Sequence, residues 1–150
     1  MSFVYSFIHQ KNIIEIYTMN GLPDITAAKV AIPAALFLSL SPGFLISVDG
    51  KSVSTQRNLT SQTRVLFHAL VFFLVFSLVA RAMKLVLTKT DLIVTTVLFI
   101  ALSPGMLLTL PPGSAGVVRS GQTSFASQLT HTLVFALVFA ILRKQFPQFY

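Results

Sequence analysis

The chain has no cysteine and no tryptophan, and it is poor in charge: 10% of its 150 residues are charged, 4 of them acidic and 11 basic. Without cysteine there is no disulfide, no thiolate metal site and no cysteine nucleophile. Without tryptophan, any aromatic belt at a membrane surface rests on Phe and Tyr. The only carboxylates are Glu15, Asp24, Asp49 and Asp91, and no two of them form an evident acid–base pair. Lys and Arg stand singly or in pairs rather than in a stripe, which argues against a nucleic-acid surface. Soluble domains carry about 25% charged residues, so this composition also counts against a soluble enzyme.

What is present is apolar. Hydrophobic residues make up 54% of the chain and the mean hydropathy is +0.79. Small domains bury only a modest share of their surface. A water-soluble globule of this composition would leave much apolar surface in water, so the expectation is a membrane protein.

The first 28 residues are mixed. His9, Lys11 and Glu15 interrupt the early apolar residues, and no basic run or small-residue cleavage site marks a signal peptide. This segment reads as interfacial or as a contact for a partner. Four apolar stretches follow, Val30–Val48, Val65–Ala80, Leu92–Leu110 and Ser127–Leu142. A bilayer core takes about 20 helical residues. The run from Leu70 to Phe76 is apolar around its whole circumference, which a helix in water does not tolerate on its outer face. Four spans put both ends of the sequence on one side. That side holds Lys11, Lys29, Arg81, Lys84, Lys89, Arg143 and Lys144, against Lys51, Arg57, Arg64 and Arg119 on the other. The positive-inside rule then places both termini in the cytosol. Asn58-Leu59-Thr60 is a glycosylation sequon on the non-cytosolic side.

The chain is internally duplicated. Leu36-Phe37-Leu38-Ser39-Leu40-Ser41-Pro42-Gly43 matches Leu98-Phe99-Ile100-Ala101-Leu102-Ser103-Pro104-Gly105. Thr60-Ser61 matches Thr123-Ser124, and the run Leu66–Phe76, with His68, matches Leu129–Phe139, with His131. The expected architecture is an all-α membrane protein of four transmembrane helices. These form two tandem hairpins, over residues 29–84 and 89–144, followed by a tail over 145–150. Each unit crosses twice, so the units enter in the same sense, with a pseudo-two-fold axis along the membrane normal.

Three features could carry chemistry. Pro42 and Pro104 lack an N–H, so the first helix of each unit kinks or ends at Ser41-Pro42-Gly43 and Ser103-Pro104-Gly105. A structural kink is the simpler account, and freed carbonyls holding an ion or substrate the sharper one. His68 shares a helical face with Phe72 and Phe76, and His131 with Phe135 and Phe139. The histidines are read as a polar pair in the bundle. Structural hydrogen bonding, a proton-linked role or metal binding stay open for them, although two histidines without a carboxylate or cysteine make a poor metal site. Thr60, Ser61, Thr123 and Ser124 are placed to cap the second helix of each unit. No catalytic, cofactor or metal motif appears.

The pattern Leu-Phe-x-x-Leu-Ser-Pro-Gly-x-Leu, then a Pro/Gly turn, then Gly-x-x-Thr-Ser and a His-bearing apolar helix, resembles a family of short two-helix plant membrane proteins of unknown function. Leu107-Leu108-Thr109-Leu110-Pro111-Pro112-Gly113 and Ser120-Gly121-Gln122-Thr123-Ser124 also resemble predicted membrane proteins of large nucleocytoplasmic DNA viruses. The first unit departs from this, with Val48-Asp49-Gly50 in place of Leu-Pro-Pro-Gly and Arg57-Asn58 in place of Ser-Gly. The resemblance implies a fold and a viral setting, and no activity or binding residue; in the absence of a catalytic motif, the expectation is a non-catalytic structural protein anchoring a larger assembly. Its most specific version is a minor capsid or internal-membrane component of a virion, with the lipid bilayer and coat proteins as partners. The alternative is a small channel or transporter subunit using the paired histidines and kinked helices.

Overall fold

The computed structural model describes residues 21–45, 47, 48, 53, 54 and 60–150. Most of the N-terminal segment, and Asn58 and Leu59 of the sequon, lie outside the described residues. The order is α1 (Ala28–Leu40), β1 (Ser47–Val48), β2 (Val53–Ser54), α2 (Gln62–Ala82), α3 (Lys89–Leu102), β3 (Leu108–Gly113), β4 (Gly116–Val118), α4 (Phe125–Gln145) and a final 3-10 turn, Pro147–Phe149. The fold is mostly helical.

Two of these helices, α2 and α4, each 21 residues, are long and apolar enough to cross a membrane. The other two are shorter than the sequence pattern suggested. The apolar runs continue to Val48 and Leu110, but α1 ends at Leu40 after 13 residues and α3 at Leu102 after 14. The Ser-Pro-Gly motifs therefore terminate their helices instead of kinking them. A residue before proline is driven out of the helical region, and Ser41 and Ser103 take ψ of 130° and 123°. Gly43 and Gly105 then turn the chain at φ of 82° and 84°, a left-handed conformation that suits glycine. Beyond each turn the apolar residues form antiparallel hairpins, pairing Val48 with Val53 and Leu108 with Val118.

The helices close into a ring in which α1 packs on α2 and α4, and α3 packs on the same two neighbours. The centre is aromatic. Phe37, Phe72, Phe99 and Phe135 are fully buried, one from each helix. Phe37 stacks on Phe135 with centroids 4.9 Å apart, and Phe99 lies 4.8 Å from Phe72. Exchanging the repeats converts one contact into the other. Phe37 also meets its own counterpart, Phe99, edge to face at 5.2 Å. Offset and edge-to-face rings place positive edges near negative faces, which adds to the burial of large apolar surfaces.

Candidate functional site

The duplicated polar residues gather where the short helices stop. The last carbonyls of a helix have no partner within it, and here a histidine from the neighbouring helix supplies one. His68 Nδ1 lies 2.7 Å from the Leu40 carbonyl, and its Nε2 accepts the Val48 N–H at 3.1 Å. His131 repeats the arrangement, with Nδ1 2.7 Å from the Leu102 carbonyl and Nε2 accepting the Leu110 N–H at 3.1 Å. Since Nε2 accepts, the proton sits on Nδ1 and the ring is neutral. Each imidazole thus joins a helix end to the first residues of a hairpin. The two histidines are not bonded to each other; each serves its own repeat.

Serine hydroxyls satisfy a second pair of carbonyls, left open in the last turn where Ser41 and Ser103 leave the helix. Ser41 Oγ donates to the Phe37 carbonyl and Ser103 Oγ to the Phe99 carbonyl, both at 2.6 Å. Of the four residues expected as caps, Ser61 and Ser124 sit at the N-cap. Ser61 accepts from the Arg64 N–H at 3.4 Å, and Ser124 accepts from the Ser127 N–H at 3.0 Å. Ser127 Oγ returns a bond from the Ser124 N–H at 2.8 Å, completing a capping box in α4. Thr60 and Thr123 are one residue too early to cap; their hydroxyls are buried and make no hydrogen bond among the described residues.

The two repeats interlock at this end. The Thr60 N–H donates to the Gly121 carbonyl at 2.8 Å, and the buried Gln128 reaches the Pro42 carbonyl at 3.5 Å. Gly105 is wedged against Thr60 and Gln122, where a side chain would have no room. Beside His68 lies an apolar cleft of about 380 Å³ bordered by Leu40, Leu45, Val48, Phe67 and Val71. Both imidazole nitrogens are already engaged with backbone. Among the described residues no three His, Asp or Glu side chains converge as a metal would require.

At the opposite end an ion pair escaped sequence reasoning. Asp91 is fully buried in the first turn of α3 and pairs with Arg143 in the last turn of α4. Asp91 also forms a capping box with Thr88, whose N–H reaches Oδ2 at 2.9 Å. The Arg143 guanidinium lies 5.6 Å from the Phe139 ring and 5.2 Å from that of Tyr150. Thr88-x-x-Asp91 is a recognisable capping-box signature, but its partner stands at the far end of the repeat and is visible only once the helices are antiparallel.

The sequence model of one protein family, described as Protein of unknown function (DUF3339), matches the chain twice, over residues 25–88 and 89–145. The two matches are consecutive, as an internal duplication requires. No curated protein and no solved structure matches the chain.

Proposed function

From the premise that the chain belongs to the family of unknown function DUF3339, with two copies of its unit covering most of the length, we propose that the protein is a non-catalytic integral membrane protein that anchors or bridges a larger assembly. The observation that carries this reading is the outer face of the long helices. Leu66, Leu70, Leu74 and Leu78 of α2 are exposed at four-residue spacing, as are their counterparts Leu129, Leu133, Leu137 and Ile141 of α4. Only 33% of the apolar span of α2 and 39% of that of α4 is buried. The core helix of a soluble protein would be mostly buried, whereas lipid rewards an apolar outer face.

The lengths fit this reading. A helix of this length runs about 31 Å at 1.5 Å per residue, close to a hydrocarbon core of about 30 Å. The shorter α1 and α3 reach about 20 Å, and the Ser-Pro-Gly turns and hairpins complete their passage. Non-helical backbone at that depth has to be satisfied by protein, and the histidines and serines do this at each helix end. The chain then crosses four times, with the repeats related by a pseudo-two-fold axis along the membrane normal and both ends in the cytosol. The phenylalanine cluster on the bundle axis favours a scaffold over a conduit. The resemblance to viral membrane proteins extends the proposal to a virion membrane, with coat proteins bound by the exposed hairpin β3–β4 or by the N-terminal segment.

The cysteine-free chain allows a direct test. Single cysteines at Ser114 and Gln148 would be labelled in sealed vesicles with a maleimide that does not cross membranes. Labelling from opposite sides, in protein that resists alkaline extraction, is expected. Extraction at alkaline pH, or labelling from one side, would overturn the membrane topology. The anchoring role is tested separately by cross-linking in the native assembly, where coat-protein neighbours are expected and lipid contacts alone would overturn it.

A further inference from the structure

The end of the bundle away from the hairpins carries its cations in a pattern that helix stability does not explain. Arg81 and Lys84 close α2, and Lys144 lies in the last turn of α4, where positive charge suits the helix dipole. Lys29 and Lys89, however, stand in the first turns of α1 and α3. A cation there faces the positive end of the dipole, so these two positions run against local preference. Of the carboxylates described at this end, Asp91 is buried with Arg143, while Asp24, held by the Thr26 N–H and hydroxyl at 2.9 and 2.7 Å, keeps its charge and leaves Lys29, Arg81, Lys84, Lys89 and Lys144 in excess.

Large apolar side chains project among these cations. Leu22 is 96% exposed and Val86 78%, with Met83 and Phe149 also more than half exposed. Cations interspersed with protruding apolar groups match a layer that offers anionic headgroups over hydrocarbon. A free phosphate or an acidic polypeptide would satisfy the cations and leave Leu22 and Val86 in water.

Resting on the membrane reading above, we infer that this end of the bundle is a recognition surface for anionic phospholipid headgroups. Arg81, Lys84, Lys89 and Lys144 hold the phosphates, and Leu22 and Val86 enter the acyl boundary between them. The surface concentrates acidic lipid around the protein in the leaflet that this end of the bundle meets.

The full chain would be reconstituted in phosphatidylcholine vesicles carrying traces of spin-labelled phosphatidylglycerol or phosphatidylcholine, and the motionally restricted fraction of each label measured. A several-fold preference for phosphatidylglycerol is expected, collapsing near 1 M salt, where the screening length is about 3 Å. The R81Q/K84Q/K89Q/K144Q variant should lose the preference while still entering neutral vesicles, and R64Q/R119Q, at the other end, should keep it. Equal restriction of both lipids by the wild type, retention of the preference in the fourfold variant, or equal loss in R64Q/R119Q would each overturn the assignment. Soluble polyglutamate that abolishes the preference would point to an acidic protein and overturn it as well. Failure to enter neutral vesicles would instead defeat the membrane reading, and the lipid surface with it.

Discussion

Phe37 and Phe99 hold the same place in the two repeats, and they meet at the centre of the bundle with ring centroids 5.2 Å apart. Each also packs on an aromatic ring of the other repeat's second helix, Phe37 on Phe135 and Phe99 on Phe72. The interface between the repeats is therefore also the core. Phe37→Ala or Phe99→Ala should each destabilise the protein by about 3–5 kcal/mol, the range for emptying a buried phenylalanine site. The double variant should cost less than the sum, because the rings share a contact. Reversible unfolding by sodium dodecyl sulfate in mixed micelles measures both quantities.

Replacing His131 tests the joint between helix end and hairpin. In His131→Phe the Leu102 carbonyl and the Leu110 N–H both lose their partner. A buried group left without a partner costs about 1–3 kcal/mol. His68→Phe should behave alike through Leu40 and Val48. Hydrogen exchange at the Leu110 amide should accelerate in His131→Phe and stay unchanged in His68→Phe.

Two glycines with the same handedness should respond differently to alanine. Gly116 has φ of 91° with nothing within 4 Å of an added Cβ. Gly116→Ala should cost only the left-handed backbone, about 1–2 kcal/mol. A Cβ on Gly105 would lie 2.6 Å from Thr60 Cγ2 and 2.7 Å from the Gln122 carbonyl oxygen. Gly105→Ala should cost clearly more by thermal unfolding in detergent. Adding Thr60→Ser should recover only part of the loss, since the Gln122 carbonyl remains in the way.

The buried Asp91–Arg143 pair belongs to the second repeat alone. Arg143→Ala leaves a fully buried carboxylate without its cation and should destabilise by about 3–5 kcal/mol. The double variant Asp91→Asn with Arg143→Met should be markedly milder, because no uncompensated charge stays behind. Detergent unfolding of the single and double variants decides this.

Tyr150 reports on the same corner. Burial raises its phenol above the ordinary tyrosine range, the Asp91 carboxylate adds to this, and the Arg143 cation opposes it. A group whose folded pKa is raised contributes stability below its unfolded pKa and loses it as pH rises through the folded value. The packing of the final turn should therefore loosen above the ordinary tyrosine range. Tyr150→Phe should remove this alkaline dependence, and exchange at the Tyr150 amide follows it.

Local sequence determined much of this architecture by itself. The duplication was legible because polar landmarks recur in register, Ser-Pro-Gly followed by a histidine on the face of Phe72 or Phe135. The shared face of His68, Phe72 and Phe76 follows from helical spacing alone. Serine before a helix is a local signal too, since its hydroxyl bonds an N–H three residues away, and Ser61 and Ser124 act in this way. Hydropathy, by contrast, does not locate a helix end inside an apolar run. Leu40 and Leu102 end their helices because of backbone geometry at proline, and the apolar residues beyond them are equally compatible with a hairpin. Only the tertiary structure decided what each histidine touches and which charge Arg143 meets. Those partners are brought together by the antiparallel return of the second helix onto the first, a relationship that spacing along the chain does not encode.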